Sequence, residues 1–500
     1  MTERSYIISA KSIYSLDANN NTYQYLMIDN GKITEVSNTP LPYTVNKISY
    51  PDKYIIPGFI DSHTHILGTG LQLIFPEVSK AECLEDIYDK ILSARSLINE
   101  QGFILVYNFD PDRIKEKRFP HRQELDKVIK NYPIILYRID GHSAVLNSKA
   151  LEIIFETKSE DIEQGLELDK YREPTGLLTG KAYEFTNRYF ANKISPNVRI
   201  EAFYQACELA LKNGVTTMVT MIGSEQDDLS VRLLMQVIDK LPIEVIPFYQ
   251  TIDFSQARKF NLPRIGGCIL IDGSFGSHTA ALKNDYADQQ NNRGILYYQD
   301  EALENFYQEA EKYKLQTAVH AIGDRAIEQV VSILEKIIKE NSNRHRIEHC
   351  ELLDDNLINR IKKLDLILSM QPAFEYYWGG PNKMYAQRLG TRWHQTNPFK
   401  KLFDQGIIIV GGSDAPITPI DPLLGIKSAV QHPNPDHRIS PIQALKMFTT
   451  NGAWAIFAED RIGKIAPNYQ ADFTVLEKDP LQFNDNKIIA VYKAGKKIFG

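Results

Sequence analysis

The sequence predicts an α/β protein, a (β/α)8 TIM barrel with a small β-sandwich domain built from both termini. Three observations predict it. From about residue 200 onward short apolar strands alternate with helices, those strands turn polar at their C-terminal ends, and both ends of the chain read as hairpins.

The alternation is explicit. SPNVRIEAFYQACELALKNG carries start signals at Ser195 and Pro196 and a stop at Gly214, and TTMVTM follows as a buried strand. TAVHAIGD then precedes RAIEQVVSILEKIIKE, in which Ile327, Val330, Val331, Leu334, Ile337 and Ile338 keep one helical face apolar. The strands placed in this way are FIDSHTH, IILYRIDG, TTMVTM, one near EVIPFYQ or CILIDG, TAVHAIG, RIEHCEL, LILSMQP and IIIVGGSD. Near-continuous apolar runs suit parallel strands buried on both faces. Residues 57–456 are expected to form the barrel, with an insertion at about 72–133, where the alternation fails. Residues 1–56, with an Asn30–Gly31 turn, and residues 457–500, with ADFTVLE and AVYKAGKKIF, are expected to pair as the β domain.

Bulk composition narrows the function classes. A chain of 500 residues exceeds what one compact core usually absorbs, and 43% hydrophobic with 24% charged residues is ordinary for a globular protein. A net charge of −6 argues against nucleic acid as a partner, because phosphate binding rests on clustered Lys and Arg. No apolar run reaches the length of a membrane span and the N-terminus lacks a basic start followed by an apolar core, so a cytoplasmic location is expected. Cys83, Cys207, Cys268 and Cys350 are far apart and read as reduced thiols.

The predicted strand ends concentrate chemistry. In TIM barrels the reacting groups sit at the C-terminal ends of the strands, and here those ends carry His63, His65, His142, Asp272, His320, His349 and Asp414. His63 and His65 are one residue apart, so on a strand they point the same way. A zinc-like ion wants three or four nitrogen, oxygen or sulfur ligands, which this set supplies from several strands.

PGFIDSHTHI, HAIGD, RIEHCE and GGSDAP, in that order, resemble the metal-dependent amidohydrolase superfamily. YRIDGHSAVLNSKAL, IDGSFGSHTAAL and HAIGDRA resemble its branch that includes N-substituted formamide deformylase, and the likeness spans nearly the whole chain. The resemblance implies one or two divalent ions, zinc foremost, that activate water against an amide carbon. It implies His63, His65 and Asp414 as ligands of a first ion. His320 and His349 would hold a second, or else His320 completes the first site and His349 polarises the substrate. Where many two-metal relatives carry a bridging lysine, this chain has Cys268, either a thiolate ligand or a small buried residue. Lys181 is a remoter candidate for the bridge.

Asp414 is placed to take a proton from the nucleophile and hand it to the leaving amine. His142 and Arg138, with Asp140 orienting a neighbour, are candidate donors to the oxyanion, and Arg138 and Asp140 read equally as a salt bridge. Tyr376, Tyr377, Trp378 and Tyr385 either line an apolar pocket or pack their own loop. His278 replaces an Arg frequent in relatives, and Cys350 reads as packing. The function expected is hydrolysis of C–N bonds in linear, small-molecule amides of the N-formyl or N-acyl amine type. The alternatives are a cyclic amidohydrolase, a deaminase, which would usually carry Glu where Gly323 stands, or a silent regulatory protein. Barrel enzymes of this size are often homodimers, which no residue here shows.

Overall fold

The computed structural model describes residues 5–139, 141, 143–482 and 485–500. They form two compact units, Met1–Ile66 with Cys207–Gly500, and Leu67–Ala206.

The first unit contains the barrel. Its strands are β1 (Phe59–Thr64), β2 (Val215–Ile222), β3 (Glu244–Tyr249), β4 (Arg264–Leu270), β5 (Gln316–Ala321), β6 (Arg346–His349), β7 (Ile367–Met370) and β8 (Ile409–Gly411). Neighbours pair in parallel in chain order. The apolar runs dictate this: all eight residues of VTTMVTMI and all six of QTAVHA are buried, as strands covered on both faces must be. The ring closes between the ends of β8 and β1, where Asp414 N donates to His63 O at 2.8 Å and His65 N to Ala415 O at 2.8 Å. Gly412 permits that approach, since a β-carbon there would stand 2.7 Å from His63 N.

One expected strand belongs elsewhere. Ile134–Arg138, the start of IILYRIDG, lies in the five-stranded sheet of the Leu67–Ala206 unit, and both EVIPFY and RIGGCIL supply barrel strands instead. An apolar run reports burial on both faces without reporting which sheet buries it, and this one is fully covered within its own unit's core of Leu105, Ile135, Leu146 and Leu178. That unit runs from Leu67 to Ala206, beyond the 72–133 segment on both sides.

Both termini form a single seven-stranded sheet in the first unit, ordered Lys496–Phe499, Ile488–Lys493, Phe473–Leu476, Asn46–Pro57, Ser5–Tyr14, Thr22–Asp29 and Lys32–Ser37. The long strand Asn46–Pro57 joins the two halves, parallel to Ser5–Tyr14 and antiparallel to Phe473–Leu476. Ile8, Leu26, Ile28, Ile55, Phe473 and Val475 make its core. Among the described residues no helix is long and apolar enough to cross a membrane.

Candidate metal centre

Six predicted side chains converge at the C-terminal end of the barrel. His63 is the last residue but one of β1 and His65 follows that strand, Cys268 lies in β4, His320 in β5, His349 ends β6, and Asp414 follows β8. Asp414 Oδ1 stands 3.2 Å from His63 Nε2 and 3.1 Å from His65 Nε2. Cys268 Sγ stands 3.9 Å from His320 Nδ1 and 3.7 Å from His349 Nε2. Two donor triads result, His63–His65–Asp414 and His63–Cys268–His349, each with its ligand atoms within 4.8 Å of one another.

The outer nitrogen of three imidazoles already faces an acceptor. His63 Nδ1 is 2.5 Å from Glu348 Oε2, His349 Nδ1 is 2.7 Å from Gln371 Oε1, and His320 Nε2 is 3.0 Å from the Gly273 carbonyl. A neutral imidazole carries one proton, so each of these rings, when neutral, turns a bare nitrogen inward. His63 Nε2 is wholly buried and makes no hydrogen bond of good geometry; the group nearest it is Asp414 Oδ1 at 3.2 Å, itself an acceptor. With Nδ1 carrying the proton, Nε2 and the carboxylate are two acceptors facing each other, an arrangement that a cation between them satisfies and that these donor types suit for a metal ion. The residues fit one or two divalent ions.

Electrostatics agree. Burial opposes charge on His63, His65, His320, Cys268 and Asp414, yet their mutual contacts favour the charged forms. Contacts with Asp414 and Cys268 override burial and push His65 up to about 9, and Cys268 does the same for His320, also to about 9. His63 is raised well above the usual imidazole range against its own burial, chiefly by Cys268 and Glu348. Cys268, against burial, is held well below the usual thiol range by His63, His320 and His349, and Asp414 well below the carboxylate range by His63 and His65. A cluster of anionic donors that draws protons onto its imidazoles is one that a cation would occupy in their place. The backbone is strained at the same points: Cys268, His349 and Asp414 have φ of 68°, 67° and 56°, conformations that persist only where the surroundings impose them.

Other predicted residues fall into place differently. Asp272 is a brace, with Oδ2 accepting from Ala281 N and Gly323 N at 2.8 Å each and Oδ1 from Ile322 N at 2.9 Å. Gly323 stands where a deaminase would usually place Glu; a β-carbon there would meet Ala281 O at 2.1 Å. Tyr385 is buried and donates its hydroxyl to Glu351, whose carboxyl burial pushes up to about 8, so it packs its loop. Tyr376 and Tyr377 are exposed, while Trp378 packs edge-on against Phe374, whose ring lies nearly parallel to that of His349 with centroids 6.0 Å apart. His278 pairs with Asp288 at 3.0 Å. Cys350 is wholly buried and its thiol raised by burial, as packing requires. Arg138 ends a strand of the Leu67–Ala206 unit, 3.7 Å from Asp112, and Lys181 is exposed on a helix of that unit. His142 and Asp140 lie outside the described residues.

Sequence reading missed Glu348, Arg346, Gln371 and Asp61. Asp61 Oδ1 accepts from Ser413 N at 2.9 Å and His63 N at 3.3 Å, tying the last strand to the first. The signal was available in RIEH, since an Arg and a Glu two apart on an apolar strand share one face and must be paired if buried.

A model of the amidohydrolase family matches residues 51–499. The chain belongs to the amidohydrolase family. This amidohydrolase is 30% identical to YtcJ of Bacillus subtilis (strain 168) over 466 residues, 87% of its own length and 86% of the relative's. It is 23% identical over 517 residues to the N-substituted formamide deformylase of Arthrobacter pascens, covering 96% of this chain and 94% of that one. The crystal structure of an uncharacterized metal-dependent hydrolase from Pyrococcus furiosus matches it with a TM-score of 0.81 at 25% identity, covering 96% of this chain and 100% of the other.

Proposed function

We propose that this amidohydrolase cleaves the C–N bond of linear small-molecule amides, N-formyl or N-acyl amines, with one or two zinc ions held by His63, His65, Cys268, His320, His349 and Asp414. The inward-facing bare nitrogens of His63, His320 and His349 carry the reading. A divalent ion supplies Lewis acidity there, polarising a carbonyl and bringing the pKa of water down to about 7. Asp414 accepts the proton of the attacking water at its carboxylate and delivers it to the departing amine nitrogen. Its ionised state at neutral pH suits the first half of that task. His349 serves as a ligand rather than a donor to substrate, because its proton is engaged with Gln371.

Gly323 disfavours the deaminase alternative, since no side chain fits at that position. Retention of the five ligands His63, His65, His320, His349 and Asp414 disfavours a silent regulatory barrel. The test is metal analysis of chelator-free protein together with a panel of N-substituted formamides, N-acyl amines and cyclic imides. Metal-loaded protein that turns over only the cyclic imides would transfer the reading to cyclic amide hydrolysis, and protein with less than about one ion per chain would end it.

A further inference from the structure

The donors to the candidate ions are backed unequally. His349 leans on a neutral amide, Gln371, at 2.7 Å, and His320 on the Gly273 carbonyl at 3.0 Å. His63 is the one of these three with a carboxylate at hydrogen-bonding distance, Glu348 at 2.5 Å; the carboxylate near His320, Asp272, stands 3.6 Å from its Nε2 and accepts from backbone amides. The Glu348 carboxylate is itself locked. Arg346 Nε donates to Glu348 Oε1 at 2.5 Å, and Arg346 Nη2 donates to Glu348 Oε2 at 2.9 Å, to the Ser62 carbonyl at 2.6 Å and to Ser369 Oγ at 2.6 Å. Its guanidinium also lies 5.3 Å from the centre of the Phe248 ring. Arg346 and Glu348 are both essentially unexposed, on one face of β6, and reach across to β1 and β7.

An ion pair is an odd filling for a barrel interior, which is ordinarily packed with branched apolar residues. Buried ion pairs contribute little to stability over an apolar replacement of the same volume. What this one does is fix a proton. A carboxylate accepting from Nδ1 holds His63 in the tautomer whose Nε2 is bare, and makes that nitrogen a better electron donor than an amide or carbonyl would.

We propose that Glu348, braced by Arg346, is a positioning residue for His63, the donor common to both triads, so that uptake of the first ion depends on Glu348 more than on the partners of His349 or His320. The inference rests on the metal-dependent reading above and not on which amide is cleaved. Apo full-length protein is titrated with Zn2+ against a competing chelator. Glu348→Gln weakens uptake of the first ion by about 10–100-fold in protein that still unfolds cooperatively, at a lower melting temperature because Arg346 is left buried without its partner, while Gln371→Ala weakens it by less. Should Glu348→Gln fail to fold, the double variant Arg346→Met/Glu348→Leu replaces the pair by apolar side chains and is expected to fold and to show the same loss. Wild-type first-ion affinity in a folded Glu348 variant overturns the proposal, as does an equal loss in Gln371→Ala. A protein whose zinc affinity depends on Glu348 yet which hydrolyses no amide defeats the proposed substrate class and leaves this inference standing.

Discussion

Cys268 Sγ lies 3.7 Å from His349 Nε2 and 3.9 Å from His320 Nδ1, between the two imidazoles that the resemblance assigns to a second ion. A buried cysteine whose role is packing has its thiol pushed up, as Cys350 does, whereas Cys268 is held well below the ordinary range despite burial. Cys268→Ser is therefore expected to lose about half of the bound divalent metal, because a hydroxyl stays protonated where a thiolate would ligate. Elemental analysis of the purified variant measures this, and an unchanged metal content would return Cys268 to the role of a small buried residue.

Asp414 is the only carboxylate within about hydrogen-bonding reach of both His63 and His65 among the described residues. Asparagine is the informative substitution, since it tolerates the left-handed backbone at φ 56° and keeps the side-chain shape while removing the proton acceptor. Asp414→Asn is expected to lower kcat for amide hydrolysis by about a hundredfold or more, with the unfolding midpoint little changed. Turnover within a factor of a few of wild type would take the proton-transfer role away from Asp414.

The parts of this architecture that were legible in the sequence share one property: they are local. A histidine pair on β1, an Asp after β8 and the alternation of apolar runs with helices are each read from a few neighbouring residues, and the structure brings His63, His65, Cys268, His320, His349 and Asp414 together as the strand order requires. What failed was sheet membership. Ile134–Arg138 has the pattern of a barrel strand, and only pairing with Ile104–Phe109 and Ser143–Leu146 separates it from one. The supporting residues were hidden for a related reason, because Gln371 and Glu348 acquire meaning only through the rings they hold, 22 and 285 residues away in sequence.

Gly323 offers a test of the deaminase alternative that needs no substrate. Its amide donates to Asp272, and a β-carbon would meet Ala281 O at 2.1 Å and Ala281 N at 2.8 Å, both backbone atoms that cannot rotate away. Gly323→Ala is expected to destabilise the protein by about 1–3 kcal/mol, the usual cost of overpacking, seen as a lower urea midpoint. A variant as stable as wild type would show that the loop yields, and the steric objection to a glutamate at this position would lapse.

Glu244, at the start of β3, binds the terminal sheet to the barrel. Its carboxylate accepts from Arg461 at 2.5 and 2.9 Å and lies 3.2 Å from Lys493, which also reaches Asp472 at 2.7 Å. Burial pushes the Glu244 carboxyl up, but the Arg461 hydrogen bonds and the Lys493 charge more than offset it and hold the group below its ordinary range. A carboxyl whose folded value lies below its unfolded value of about 4.3 stabilises the fold above that pH, and the contribution is lost as pH falls through the folded value. Glu244→Gln is therefore expected to be about 1.5–3 kcal/mol less stable near pH 7, the range for hydrogen bonds to charged groups. The difference should close as the pH is lowered through the carboxylate range, because wild type then becomes protonated too. Denaturant unfolding at a series of pH values measures both curves, and a gap that persists undiminished into acid would mean that the glutamine disturbs packing rather than removing a charge.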